Sequence, residues 1–136
     1  MSKILRLSDR LHLKIGDVEF VLAPINYYKK QKLAECTKTI KGEEVFDLLK
    51  AQFLYIKYGL KEVNGIDTFD GNAYELDFEG DELTDDCVSE ILNLDQREKL
   101  TVCAWQLLNG VKELTDPITN EAIEGVELEV KPQGKF

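Results

Sequence analysis

The residues best placed for chemistry are the acids of one stretch. Glu75-x-Asp77-x-Glu79-Gly80, followed by Asp86, sets alternating oxygen donors ahead of a turn glycine and a late carboxylate, which is the layout of a calcium loop. An EF-hand, however, wants Asp first, Glu last and a helix leading in. Here Glu75 begins the run, Asp86 ends it, and the preceding pattern is strand-like. The alternative is a solvated acidic loop ahead of a helix cap, and this is the preferred reading. His12 is the sole histidine, so a His-based metal site or a nucleophile triad has almost nothing to use, and a surface position on a hairpin is expected for it. Neither G-x-x-x-x-G-K nor G-x-G-x-x-G can be written anywhere in the chain, which removes the usual handle for nucleotide chemistry. Carboxylate pairs abound, but acid–base work needs a pocket that shifts a pKa, and spacing alone supplies none. No catalytic, metal-binding or cofactor-binding residue is therefore assigned, and the expectation is a non-enzymatic protein without a cofactor.

Cys36, Cys87 and Cys103 are odd in number and widely spaced, which fits neither a disulfide framework nor a zinc site. Each falls in a helical pattern, where a free cysteine serves as a small core residue in a reducing compartment. Tyr27, Tyr28, Tyr55, Tyr58 and Trp105 are either binding anchors or core, with partial burial favoured for Trp105.

The formal charge of −9, from 17 Lys and Arg against 26 Asp and Glu, repels phosphate backbones and argues against nucleic acid as a partner. Met1 to Arg10 mixes charges with Ile4, Leu5 and Leu7 and never builds the apolar run of a signal peptide or membrane span. A cytoplasmic location and no membrane partner are expected.

Leu11-His12-Leu13-Lys14-Ile15 alternates, Gly16-Asp17 turns, and Val18 to Leu22 resumes a strand, which predicts a β-hairpin. Pro24 then opens a helix expected over 25–40, on the spacing of Ile25, Tyr28, Leu33, Cys36 and Ile40, with Gly42 as its left-handed cap. A second helix follows on Val45, Leu48, Leu49, Phe53 and Ile56, closed by Gly59, and the two should form an antiparallel pair. Leu60 to Glu82 is read as a loop with a strand-like piece over 73–78. Thr84 caps a short helix reaching about Asn93, and Asp95 with Glu98 suggests a capping box before a helix carrying Leu100, Cys103, Ala104, Leu107, Leu108 and Val111 on one face. The fold class expected is α+β, mainly helical: an N-terminal hairpin on a bundle of about four helices. Residues 1–112 would form one domain, and 113–136 a partly flexible tail with Val126 to Val130 as a candidate terminal strand.

This order of parts resembles the small tail assembly chaperones of long-tailed, siphovirus-type bacteriophages. The stretches that carry the resemblance run from Leu13 through Gly16, Phe20, Leu22 and Pro24 to Ile25, and from Cys103 through Trp105 to Val111, with Ala104 standing where a glycine would precede the tryptophan. The resemblance implies a protein that binds and solubilises the aggregation-prone, largely helical tape measure protein, assists tail tube assembly, self-associates, acts in the host cytoplasm and is absent from the finished virion. In that family a longer product often arises by a −1 ribosomal frameshift. Gln133-Gly134-Lys135 permits the codons CAG GGA AAG, which contain the slippery heptamer GGGAAAG. Two other readings stay open: a generic acidic protein-binding adaptor or regulator, and a carboxylate-based metal-binding or enzymatic domain built on the loop from Asp67 to Asp86. The partner-binding surface is not legible from the residues.

Overall fold

The computed structural model describes residues 4–108, 114–116, 119 and 121–132. In chain order the elements are β1 (Arg10–Ile15), β2 (Val18–Leu22), α1 (Tyr27–Ala34), β3 (Thr37–Ile40), β4 (Glu43–Phe46), α2 (Leu48–Gly59), β5 (Leu60–Asn64), β6 (Phe78–Glu79), β7 (Glu82–Leu83), α3 (Asp85–Ile91), α4 (Arg97–Leu108) and β8 (Val126–Lys131). The expected hairpin is β1–β2, with Leu13 opposite Phe20 and Gly16 at φ +59° in the turn, the positive value that the first central position requires.

That hairpin is the middle of a four-stranded antiparallel sheet in the order β5-β2-β1-β8. Side chains alternate between its faces. One row, Val63, Phe20, Leu13 and Leu128, crosses all four strands, and Phe20 and Leu13 in it are wholly buried. The helices cover this face. α2 is their hub and touches α1, α3 and α4, contributing Ala51, Tyr55 and Ile56 to the core. α3 adds Cys87, Val88 and Ile91, and α4 adds Leu100, Cys103, Ala104 and Leu107. The architecture is therefore α+β, but it is not mainly helical and not a bundle. Strands and helices share the described residues about equally, and the helices form one layer against a sheet.

The first helix ends at Ala34 instead of reaching Ile40. Of the five residues whose spacing suggests the longer helix, Ile25, Leu33 and Cys36 are buried, but Tyr28 and Ile40 are exposed, so the apolar period is partly coincidental. Thr37-Lys38-Thr39-Ile40 is rich in β-branched residues, which lose rotamer freedom in a helix and suit an extended chain. It pairs with β4, and Gly42 is no helix cap: Lys41 (φ +53°) and Gly42 (φ +82°) are the two central positions of the tight turn between β3 and β4. The expected antiparallel helix pair survives only as a contact between α1 and α2 across this inserted ribbon. Val45 accordingly belongs to β4, and α2 starts at Leu48 behind Asp47, whose carboxylate accepts Lys50 N at 3.2 Å.

Gly59 does close α2, and its carbonyl accepts Ala23 N at 2.7 Å. The chain turns straight into β5, where the residue pattern reads as loop. A bulge at Val21/Leu22 sets Val21 opposite Glu62 but Leu22 opposite Leu60, so the buried residues Leu60 and Val63 fall three apart and break strand alternation. The strand-like piece over 73–78 is reduced to a single bridge from Ala73 to Asp67 and the start of the short β6–β7 hairpin. Thr84 caps α3 as expected, its hydroxyl accepting Cys87 N at 3.2 Å behind Asp85 and Asp86 in the first turn. The capping box at Asp95 does not form, because Gln96 is the residue whose carbonyl receives the first helical bond, from Leu100 N. Val126–Lys131 forms β8, so the chain beyond residue 112 contributes an edge strand to the sheet. Val111, the side chain of Leu108 and the stretch 133–135 lie outside the described residues. Among the described residues no helix is long and apolar enough to cross a membrane.

Gly65 turns the chain out of β5 at φ +94°, and a Cβ there would overlap the carbonyl of Asp17 in the β1–β2 turn. Gly71 has a similar φ of +89° but open space around it. Gly65→Ala should therefore cost at least about 2 kcal/mol, strain plus displacement of the turn, and Gly71→Ala about 1 kcal/mol from strain alone. Urea unfolding of both variants checks this; equal losses would show that the backbone approach at Gly65 is not a constraint.

Candidate partner-binding cleft

The acids that their spacing singles out do not assemble. Glu75, Asp77, Glu79 and Asp86 are all exposed, and among the described residues no group of three or more His, Cys, Asp or Glu is placed to hold a metal ion. His12 lies on the outward face of β1, yet its side chain is only 16% exposed, with Nδ1 at 3.4 Å from Glu19 Oε2, so the expected surface position is in fact largely covered. Glu19 is held below the usual carboxylate range, chiefly by the 3.0 Å hydrogen bond it accepts from Asn64 Nδ2 and further by His12.

The three thiols are buried, Cys87 in α3 and Cys103 in α4 as expected, but Cys36 lies past the end of α1 in the link to β3 and not in a helix. Burial pushes Cys36 upward and Cys103 up to about 11. Tyr74 OH lies 3.3 Å from Cys87 Sγ and donates to Glu90 at 3.2 Å, and burial with these neighbours raises its phenol. Tyr55 and Tyr58 are core, whereas Tyr27 and Tyr28 are exposed; Trp105 is half-buried, with its ring 5.9 Å from that of Phe46.

A concavity that brings exposed apolar groups together lies elsewhere, at the end of the sheet where β1 begins and β2 leaves. The chain enters β1 through a turn fixed from both directions: Asp9 N donates to Arg6 O at 2.9 Å, and Asp9 Oδ2 accepts Arg6 N at 2.8 Å. Asp9 is the one buried charged residue among those described, at 8% exposure. Arg10 Nη1 folds back onto the carbonyls of Leu7 and Asp9 at 3.1 and 2.9 Å. This polar clamp holds Leu5 and Leu7, 41% and 59% exposed, over a cleft of about 330 Å³. Pro24, Ile25 and Tyr27 line it where the chain passes from β2 into α1, and the buried side chains of Tyr55 and Leu107 form its base. A cleft of this size with a mainly aliphatic and aromatic lining suits a few apolar side chains of a ligand.

Its electrostatics are opposite to those of the chain. Lys30 is the one charged residue lining it, and no carboxylate does so among the described residues. α1 carries three lysines and no acid, and Asn26, which caps it through Lys29 N at 2.9 Å, also lines the cleft, so the positive end of the helix dipole opens there. Residues 1–34 hold seven Lys and Arg against three Asp and Glu, a net of +4 within a chain of −9. Sequence reasoning misses this site. The available signal is three aliphatic residues, Ile4, Leu5 and Leu7, ahead of the first strand with no alternation to place them in it.

At pH 8 the native protein should leave all three thiols unlabelled by iodoacetamide on a timescale in which urea-unfolded chain reacts fully; stability should also fall as pH rises from 9 toward 11, because the unfolded chain releases the Cys103 proton first. Native labelling at the unfolded rate would place a thiol on the surface. Asp9→Ala should cost about 1–2 kcal/mol and speed solvent exchange of the Arg6 amide, since it removes a partly buried, charge-assisted hydrogen bond; unchanged exchange would show that the clamp does not order Leu5 and Leu7.

No protein-family model, no curated protein and no solved structure matches this chain.

Proposed function

We propose that the chain is a phage tail assembly chaperone that binds the tape measure protein, keeps it soluble and assists tail tube assembly, acting as a protein-binding module and not as an enzyme. The observation that carries this reading is the apolar cleft bordered by Leu5, Leu7 and Tyr27, side chains that face solvent among the described residues. Exposed apolar side chains gathered around a concave site are how a protein presents itself to a partner. The resemblance of the stretches around Phe20-Val21-Leu22-Ala23-Pro24 and Trp105 to such chaperones supplies the identity of the partner. An acidic surface elsewhere keeps the chain, and any complex it forms, soluble. Self-association in the host cytoplasm, and absence from the finished virion, belong to the same reading.

The test is co-expression with the tape measure protein encoded in the same genome, followed by pull-down and sizing of the soluble fraction. Recovery of an otherwise insoluble tape measure in complex with this chain is expected, with Leu7→Asp lowering the yield several-fold. A well-folded chain that leaves the tape measure insoluble would sink the chaperone reading and favour a generic adaptor of other partners.

A further inference from the structure

The cleft has a sign as well as a hydrophobic lining, and the sign narrows the occupant. We propose that it takes an amphipathic helix whose apolar stripe is bordered by carboxylates, so that the chain recognises an acidic helical segment of its partner. The helical form of the occupant rests on the chaperone reading; its charge rests on the cleft alone.

The net charge of −9 would suggest the reverse, a basic partner. Range decides between the two. At physiological ionic strength exposed charges are screened beyond about 8 Å, so a docked segment feels the cleft and its rim and little of the acidic loops farther off. Among the described residues the charged group lining the cleft is Lys30, beside the N-terminus of α1 at Asn26. The nearest acid in sequence, Asp9, is buried and already accepts a hydrogen bond from Arg6 N, which leaves it little reach toward a ligand. A carboxylate set beside the apolar stripe of a docked helix would meet Lys30 and the amides at the start of α1. A lysine in the same place would meet a like charge and a dipole of the wrong sense. Apolar side chains at i, i+3 or i+4, and i+7 would enter between Leu5, Leu7 and Tyr27, which is the helix-in-groove mode of recognition.

The test uses the full-length protein and synthetic helices of about 18 residues, long enough to hold helical structure. One peptide carries leucines at i, i+3, i+4 and i+7 bordered by glutamates; a second has every glutamate replaced by lysine; a third is the glutamate peptide with a central proline. Fluorescence anisotropy is expected to show the glutamate peptide binding about tenfold tighter than the lysine peptide, a preference that shrinks as salt is raised. Lys30→Glu should reverse that preference, Leu7→Asp should weaken both peptides, and the proline peptide should bind weakly. Both substitutions are at exposed positions, so circular dichroism can confirm that each variant is folded. Equal affinity for the two charge patterns, preference for the lysine peptide, indifference to Lys30→Glu or Leu7→Asp, or undiminished binding of the proline peptide would each overturn the proposal. Soluble tape measure complex with no charge preference would leave the chaperone reading standing and remove this one; selective peptide binding with no rescue of the tape measure would do the opposite.

Discussion

Everything in this molecule depends on a sheet whose first strand sorts its residues into an apolar face and a polar one. Leu11, Leu13 and Ile15 alternate along β1 with Arg10, His12 and Lys14, and because side chains on successive residues point oppositely, a slip of one residue would exchange the two sets. The register is therefore pinned by the cost of desolvating Arg10 and Lys14. Once one face must be dry, α1 to α4 have a single place to go, and α2, the helix that touches the other three, is the one on which the layer is organised. Gly59 and Leu60 then make the transition between the layers without a loop, since α2 ends and β5 begins at adjacent residues.

The outward face is not idle. Across the strands the rows run Glu62, Val21, His12, Glu129 and Asn64, Glu19, Lys14, Glu127, so that Lys14 sits between two acids and His12 lies opposite a third. Opposite charges directly across a sheet each add a few tenths of a kcal/mol to about 1 kcal/mol. The same pattern guards the open edge of β8, where Glu127 and Glu129 alternate with Val126, Leu128 and Val130. A second β8 laid antiparallel about Leu128 would match its apolar residues but oppose Glu127 to Glu129 twice over, which discourages edge-to-edge pairing.

How much of this is written in the residues varies with the local physics. The alternation ahead of Gly16-Asp17 with the strand-like run after it, and the hydroxyl cap at Thr84, are short-range signals, and both elements stand where the residues place them. β5 is hidden because its bulge changes the spacing of Leu60 and Val63 to a helical one, and no short-range rule distinguishes a bulge from a helix turn. The β3–β4 ribbon is hidden for a different reason: Ile40 completes an apolar period by chance, and the β-branched run Thr37 to Ile40 together with Lys41-Gly42 is the signal that outweighs it. The cleft is the least legible, since it is made by residues far apart in the chain, Leu5, Ile25, Tyr55 and Leu107, and only the closed fold brings them together. The calcium-like spacing of Glu75, Asp77 and Glu79 carries less than it suggests, because spacing alone does not turn oxygens inward, and all three residues are exposed.

The distribution of charge follows from combining two demands on one small chain. A protein that shows apolar side chains to solvent needs net charge of one sign to stay dispersed, and this chain meets that need with acids concentrated after residue 34. If those acids surrounded the cleft they would also repel any acid-flanked ligand and, by crowding the rim with solvated carboxylates, raise the desolvation cost of every apolar contact. With Lys30 as the one charged residue lining the cleft among the described residues, carboxylates stay off its wall, and screening limits how far the acids elsewhere reach into it. Asp9 is the exception that shows the rule. It is the acid closest to the cleft in sequence, and it is buried, with its charge turned onto the Arg6 amide and away from the site.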